Sequence, residues 1–188
     1  MSTALTRKGA ATRERIVAGA AALLRERGVG EVSLDDIRAA TATSKSQLFH
    51  YFPEGRSQLL LAVAQHEASA VLHDQEPHLT SLGPPESWAA WRDAVIARYE
   101  AQGTRCPLAA LTRQLAPTNP EVRPIVSGLL ETWRARLTEG AARAGAADPE
   151  KSGLVMLAAV QGGVGILLAT GDSTALRVAL DAALTEVL

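Results

Sequence analysis

SLDDIRAATATSKSQLFHYF, residues 33–52, decides the fold. Ser33 stands before Leu34 with Asp35 and Asp36 next, which puts a capping hydroxyl and two carboxylates at the amide-rich, positive end of a helix over 34–41. Ser44 can open a second short helix through Lys45, Ser46, Gln47, Leu48, Phe49 and His50, and Pro53 with Gly55 forces its end. Two short helices joined by a tight turn let the second present its N-terminal side chains outward. Leu48 and Phe52, four apart, would face Ile37 and Leu24 in a core, leaving Ser44, Lys45, Ser46, Gln47 and His50 as hydrogen-bonding groups. Phe49 and Tyr51 add flat rings suited to a thymine methyl or a sugar-phosphate edge. The pattern alone also fits a solvated surface helix.

Upstream, Ile16, Ala20, Leu23 and Leu24 follow i, i+4, i+7, i+8, so a helix is expected over 12–27, with Gly28 as its stop. Downstream, a longer helix is expected from Gln58 towards His73 or beyond, closed by Leu82, Gly83, Pro84 and Pro85. Further helices are expected over 86–102, with Trp88, Trp91 and Tyr99, and over 107–115. Three more would begin at Asn119 and Pro120, at Asp148 and Pro149, and at Asp172 or Ser173. The expectation is an all-α chain of about nine helices. An N-terminal three-helix helix-turn-helix domain at 1–56 precedes a C-terminal helical ligand-binding and dimerisation domain at 57–188.

Composition agrees with a packed, charge-asymmetric protein. The 188 residues are 47% hydrophobic, enough for a sizeable core. Residues 1–60 hold nine Lys/Arg against six Asp/Glu, the rest ten against fourteen, so an overall charge of -1 conceals a basic start suited to a polyanion. The single Cys106 excludes an internal disulfide, and with Pro107 beside it and no resolving cysteine it reads as a small buried hydrophobe. No metal is expected: His66 and His73 are seven apart, a poor reach for one ion. No phosphate loop, nucleophile elbow or HExxH run marks an enzyme, so neither catalytic residue nor cofactor is expected. The opening MSTALTRKGA has no apolar core of a secretory signal, and a cytoplasmic location is expected. Residues 153–170 lack charge over the length of a short membrane span, but Gln161, four glycines and no basic anchors argue for a buried helix, and no membrane partner is expected.

The run ATRERIVAGAAALLRERGVGEVSLDDIRAATATSKSQLFHYFPEGRSQLLLAV, residues 11–63, resembles the N-terminal domain of the TetR family of transcriptional regulators. The resemblance implies binding to double-stranded operator DNA. Ser33 would contact a phosphate, and Lys45, Ser46 and Gln47 would reach bases or backbone. Phe49, His50 and Tyr51 would lie along the groove, and Arg56 would pin a phosphate. Three departures stand out. Ala42 and Thr43 occupy the corner where a small residue and an aliphatic are usual, weakening the turn. Phe49 replaces the common Tyr, removing one phosphate hydrogen bond. Gly55 in FPEGR, with CPLAAL and WRARL, is similar to an LmrA/YxaF-like branch.

The resemblance also implies a homodimer that responds to a small-molecule inducer. It favours a repressor, released from a palindromic operator, over an activator. For the dimer the sequence supplies its own reading: Ala158, Gly162, Gly165 and Ala169 form a bald stripe on one helix, and Leu176, Leu180, Ala183 and Val187 an apolar companion on the next. Close packing within one subunit would give the same stripe. Pocket candidates are Trp88, Trp91, Tyr99, Trp133, Met156 and Gln161, whose few polar tips suit a flat, largely apolar, uncharged or weakly polar ligand. The competing reading is a helical small-molecule-binding protein without regulated DNA binding; Lys45, Gln47, His50 and Arg56 argue against it.

Overall fold

The computed structural model describes residues 6–117 and 119–188. Of the opening decapeptide, residues 1–5 lie outside the described residues. Ten helices and no strand are found among the described residues: α1 Arg7–Arg27, α2 Leu34–Ala40, α3 Lys45–Tyr51, α4 Arg56–His73, α5 Glu76–Leu79, α6 Pro85–Gln102, α7 Pro107–Leu115, α8 Val122–Ala144, α9 Pro149–Thr170 and α10 Thr174–Leu184. The expected count was about nine. The difference is α5, a single turn with Pro77 near its start, formed where the chain leaves α4 through Asp74 and Gln75. Helix α1 starts earlier than the apolar spacing suggested because the Thr6 hydroxyl accepts the Gly9 N–H at 3.2 Å, capping a polar first turn that apolar periodicity does not see.

The chain divides into two compact units. One holds the described residues up to Ser69 together with those of Pro107–Ile125; the other holds Ala70–Cys106 and Val126–Leu188. These limits differ from the functional boundary expected at residues 56 and 57, since α4 contributes to both units.

In the first unit, Ile16, Ala20, Leu24, Ile37, Leu48, Phe52, Leu59 and Val63 are buried, which follows from the i, i+4 stripes of α1 and α4 closing over the two short helices. Helices α1 and α2 approach closely at Gly19, where a β-carbon would lie 2.4 Å from the Thr41 methyl. Arg13 sits over the Phe52 ring at 5.2 Å. Two polar contacts join α1 to α4: an ion pair of Arg25 with the nearly buried carboxylate of Glu67, and the approach of Glu14 Oε1 to His66 Nδ1 at 3.3 Å.

In the second unit, Trp88, Trp91, Trp133, Leu137, Met156, Leu176 and Leu180 form the core. At Gly163 α9 and α10 approach closely: a β-carbon there would lie 2.5 Å from Leu176 Cα. Gly153 does the same against Thr138 of α8. Helix α9 is long and apolar enough to cross a membrane by length and composition. In this structure it buries Met156, Leu157, Val160, Val164 and Leu167 within the unit.

Candidate nucleic-acid interface

The α2–α3 segment is built from two capping boxes and one strained corner. At the head of α2, Ser33 Oγ accepts the Asp36 N–H at 3.1 Å while Ser33 N–H donates to Asp36 Oδ2 at 2.9 Å. The Ser33 hydroxyl, and then its amide, hold the Asp36 carboxyl below the ordinary carboxylate range. Helix α3 repeats the device: Ser44 Oγ accepts the Gln47 N–H at 3.1 Å, and Gln47 Oε1 accepts the Ser44 N–H at 3.2 Å. The S-x-x-Q spacing of Ser44 and Gln47 is the signature of such a box and is present in the residue order. Gln47 thus commits its side-chain oxygen to the helix start, while its amide nitrogen can act only as a donor.

Between the helices, Ala42 takes φ +45, the left-handed region in which a β-carbon is disfavoured. The corner is nevertheless held. Thr43 N–H donates to Arg38 O at 2.9 Å, the Thr41 hydroxyl donates to Ile37 O at 2.6 Å, and the Thr43 hydroxyl donates to Thr41 O at 3.1 Å. Both threonines are buried, so the expected weakness of a polar residue at this position is offset by hydroxyls that satisfy the turn.

Helix α3 is seven residues long and divides cleanly. Leu48, with Phe52 just beyond its end, is fully buried, while Ser44, Lys45, Ser46, Gln47, Phe49 and His50 are exposed and Tyr51 is half-buried. Phe49 is 40% exposed, an unusual position for a phenyl ring, and its edge lies over Gly55. His50 and Tyr51 meet edge to face at 4.9 Å. Ser33 is exposed at the head of α2.

Arg56 has partners that the sequence did not suggest. Its Nη2 donates to Val29 O at 2.7 Å and its Nη1 donates to Val32 O, so both terminal nitrogens bond to the loop before α2. Sequence could not reveal this, because the partners are 27 and 24 residues away. Conversely, α1 begins early enough to add exposed Arg7 and Lys8, which the expected start at Thr12 had left out.

In the second unit, five of the six pocket candidates are buried: Trp88, Trp91, Tyr99, Trp133 and Met156. Gln161 is exposed, a correction to its place in the pocket, since it lies on the face of α9 turned away from Met156, Val160 and Val164. Trp88 and Trp91 pack edge to face at 5.9 Å. Trp91 Nε1 donates to Gln75 Oε1 at 2.9 Å, and the buried Gln75 passes its own amide to Val71 O at 2.8 Å. By contrast, the buried Nε1 atoms of Trp88 and Trp133 have no hydrogen-bond partner among the described residues. Burial, and then the neighbouring Cys106, push the Tyr99 phenol up to about 12, so it stays protonated.

The small-residue stripe of α9 and its expected apolar companion part company. Ala158, Gly162, Gly165 and Ala169 are exposed on α9, flanked by Leu154 and Ile166, which are 57% and 49% exposed. Leu176, Leu180 and Ala183 of α10, and Val187 just beyond its end, are all buried within their own chain, with Leu176 against Gly163 of α9, which corrects the expectation of an outward-facing companion. The outward side of α10 carries Val178, 62% exposed, and Ala182.

Known proteins resemble this chain at two levels, a family match to its N-terminal helices and likenesses over most of its length. Residues 16–63 match the family described as "Bacterial regulatory proteins, tetR family". An uncharacterized HTH-type transcriptional regulator of Mycobacterium tuberculosis is 31% identical over 109 residues, 53% of this chain and 51% of the relative; the chain therefore matches about half the length of that protein. The uncharacterized HTH-type transcriptional regulator YxaF of Bacillus subtilis is 22% identical over 170 residues, covering 88% of this chain and 89% of the relative. A TetR transcription regulator from Haloarcula marismortui superposes with a TM-score of 0.79 at 15% identity, over 95% of this chain and 97% of the other, a likeness of fold.

Proposed function

We propose that this chain, which belongs through its N-terminal domain to the TetR family of bacterial regulatory proteins, is a cytoplasmic, homodimeric repressor that leaves a palindromic operator when a small, largely apolar molecule binds its second unit. The observation that carries the DNA half is the division of α3. An exposed polar edge stands on a buried Leu48–Phe52 edge, with the helix start fixed by the Ser44–Gln47 box. Lys45, Ser46, His50 and the free amide hydrogens of Gln47 are offered to base edges and backbone, Phe49 and Tyr51 to the groove wall, and Ser33 with Arg7 and Lys8 to phosphates.

The ligand half is supported by the two buried indole N–H groups of Trp88 and Trp133 that lack partners, because a buried donor left unpaired costs about 1–3 kcal/mol and a ligand acceptor would relieve it. An uncharged molecule with one or two carbonyl-type acceptors on an apolar frame fits these groups. The dimer half is supported by the uncharged exposed face of α9 from Leu154 to Ala169. In a dimer the two copies of α3 must meet successive major grooves together, so a shift of a few ångströms in their spacing lowers affinity sharply.

The test is a gel shift of the purified full chain with its upstream intergenic DNA across a salt series. Specific retardation that weakens steeply with salt supports the reading. Failure to retard any duplex at low salt, with the protein folded, leaves the small-molecule-binding reading in its place.

A further inference from the structure

We propose that Arg56 is a positioning residue for operator recognition: its guanidinium grips the loop ahead of α2 and thereby sets the attitude from which α3 meets DNA, an inference that rests on α3 being the reading helix. The geometry centres on a single peptide group. The carbonyl of Val32 and the amide of Ser33 belong to the same planar unit. Arg56 Nη1 takes the carbonyl end, and Asp36 Oδ2 takes the amide end at 2.9 Å. That unit is therefore held at both ends, immediately before the first turn of α2. A second donor, Nη2, reaches Val29 O at 2.7 Å, so the fork spans the loop between the end of α1 and the start of α2.

Side chains hold the same loop from the other side. Val29 and Val32 are 6% and 2% exposed, which anchors their Cβ atoms in the core while their carbonyls accept from Arg56. Few backbone partners are available here, because the loop belongs to no ladder; Glu31 N–H to Gly28 O at 3.3 Å is a weak local bond. If Arg56 swung out to a phosphate, two half-buried carbonyls would lose their donors, so the phosphate role competes directly with the integrity of the loop. Arg56 is also the first residue of α4. Any displacement of the start of α4 is then passed to the peptide that begins α2, without a contact to DNA.

Arg56→Gln and Arg56→Lys, made in the full chain, separate the two roles. A positioning residue predicts that Arg56→Gln weakens operator binding by about tenfold or more while the slope of log affinity against log salt stays as in the wild type. It also predicts that affinity for an unrelated duplex is unchanged, and that the Ser33 and Asp36 amides exchange faster with solvent in the DNA-free protein. Arg56→Lys keeps the charge but cannot span two carbonyls, so it should not rescue. A slope that falls by about 1.8 in Arg56→Gln, about 0.9 for each of the two copies in the dimer, with full rescue by Arg56→Lys, would overturn the proposal in favour of a phosphate contact. Unchanged exchange at Ser33 and Asp36 would overturn the grip even if operator binding fell. A wild type that binds no duplex removes the regulator reading, and the operator half of the proposal with it, whatever the exchange shows.

Discussion

Ala42 shows how much one backbone angle can decide. With φ at +45 it carries a β-carbon in a conformation that costs about 1–2 kcal/mol, and the Thr41 and Thr43 hydroxyls hold it there. Ala42→Gly should relieve that strain, offset in part by the larger entropy of glycine in the unfolded chain. A net gain of about 0.5–1 kcal/mol is expected in urea denaturation, with the salt slope of DNA binding unchanged. Asp36 makes a second residue-scale prediction. Its folded value lies below its ordinary one, so the stabilisation it brings is complete above the ordinary carboxylate range and is lost as pH falls through the folded value. The α2 cap should therefore be indifferent to pH near neutrality and fail only in strong acid. Ser33→Ala should move the Asp36 midpoint upward in a carboxyl-carbon NMR titration; an unmoved midpoint would assign the depression to another cause.

Elements add constraints that single residues do not carry. The two recognition-domain helices are seven residues each, too short to persist alone, and depend on caps and on the buried Ile37 and Leu48. Ser44→Ala should cost about 1 kcal/mol of domain stability and weaken operator binding more than nonspecific binding. In α9, two adjacent glycines should behave oppositely. Gly163→Ala pushes a methyl into Leu176 Cα and should destabilise the chain by about 1–3 kcal/mol. Gly162→Ala meets nothing within 4 Å in its own chain and should leave thermal unfolding equal or improved. If Gly162 nevertheless weakens self-association when it becomes Ala, its close neighbour is a second copy.

At the scale of the whole molecule, the proposed regulator needs two copies and a ligand. Gly165→Glu places a charge in the uncharged face of α9 without a clash in its own chain, and should turn a dimer into a folded monomer by sedimentation. A Gly165→Glu protein that still sediments as a dimer would move the interface elsewhere. In the second unit, Trp133→Phe keeps an aromatic ring and removes the unpaired N–H. It should leave operator binding intact and reduce the inducer response, whereas Trp91→Phe should cost stability by stranding Gln75.

Capping residues, apolar periods and helix stoppers are local, so α2, α3, the inward Leu48 and Phe52 and the outward Lys45, Ser46 and His50 were legible from residue order alone. The resemblance over residues 11–63 needed nothing more. Burial and long-range pairing were not legible, because they depend on which helices meet. Only the tertiary structure showed Arg56 bonded to the carbonyls of Val29 and Val32, and put Gln161 on an exposed face. It also gave α10's apolar stripe to its own subunit while leaving the small-residue face of α9 free. A helical repeat tells which residues share a face, and only packing tells what that face is pressed against.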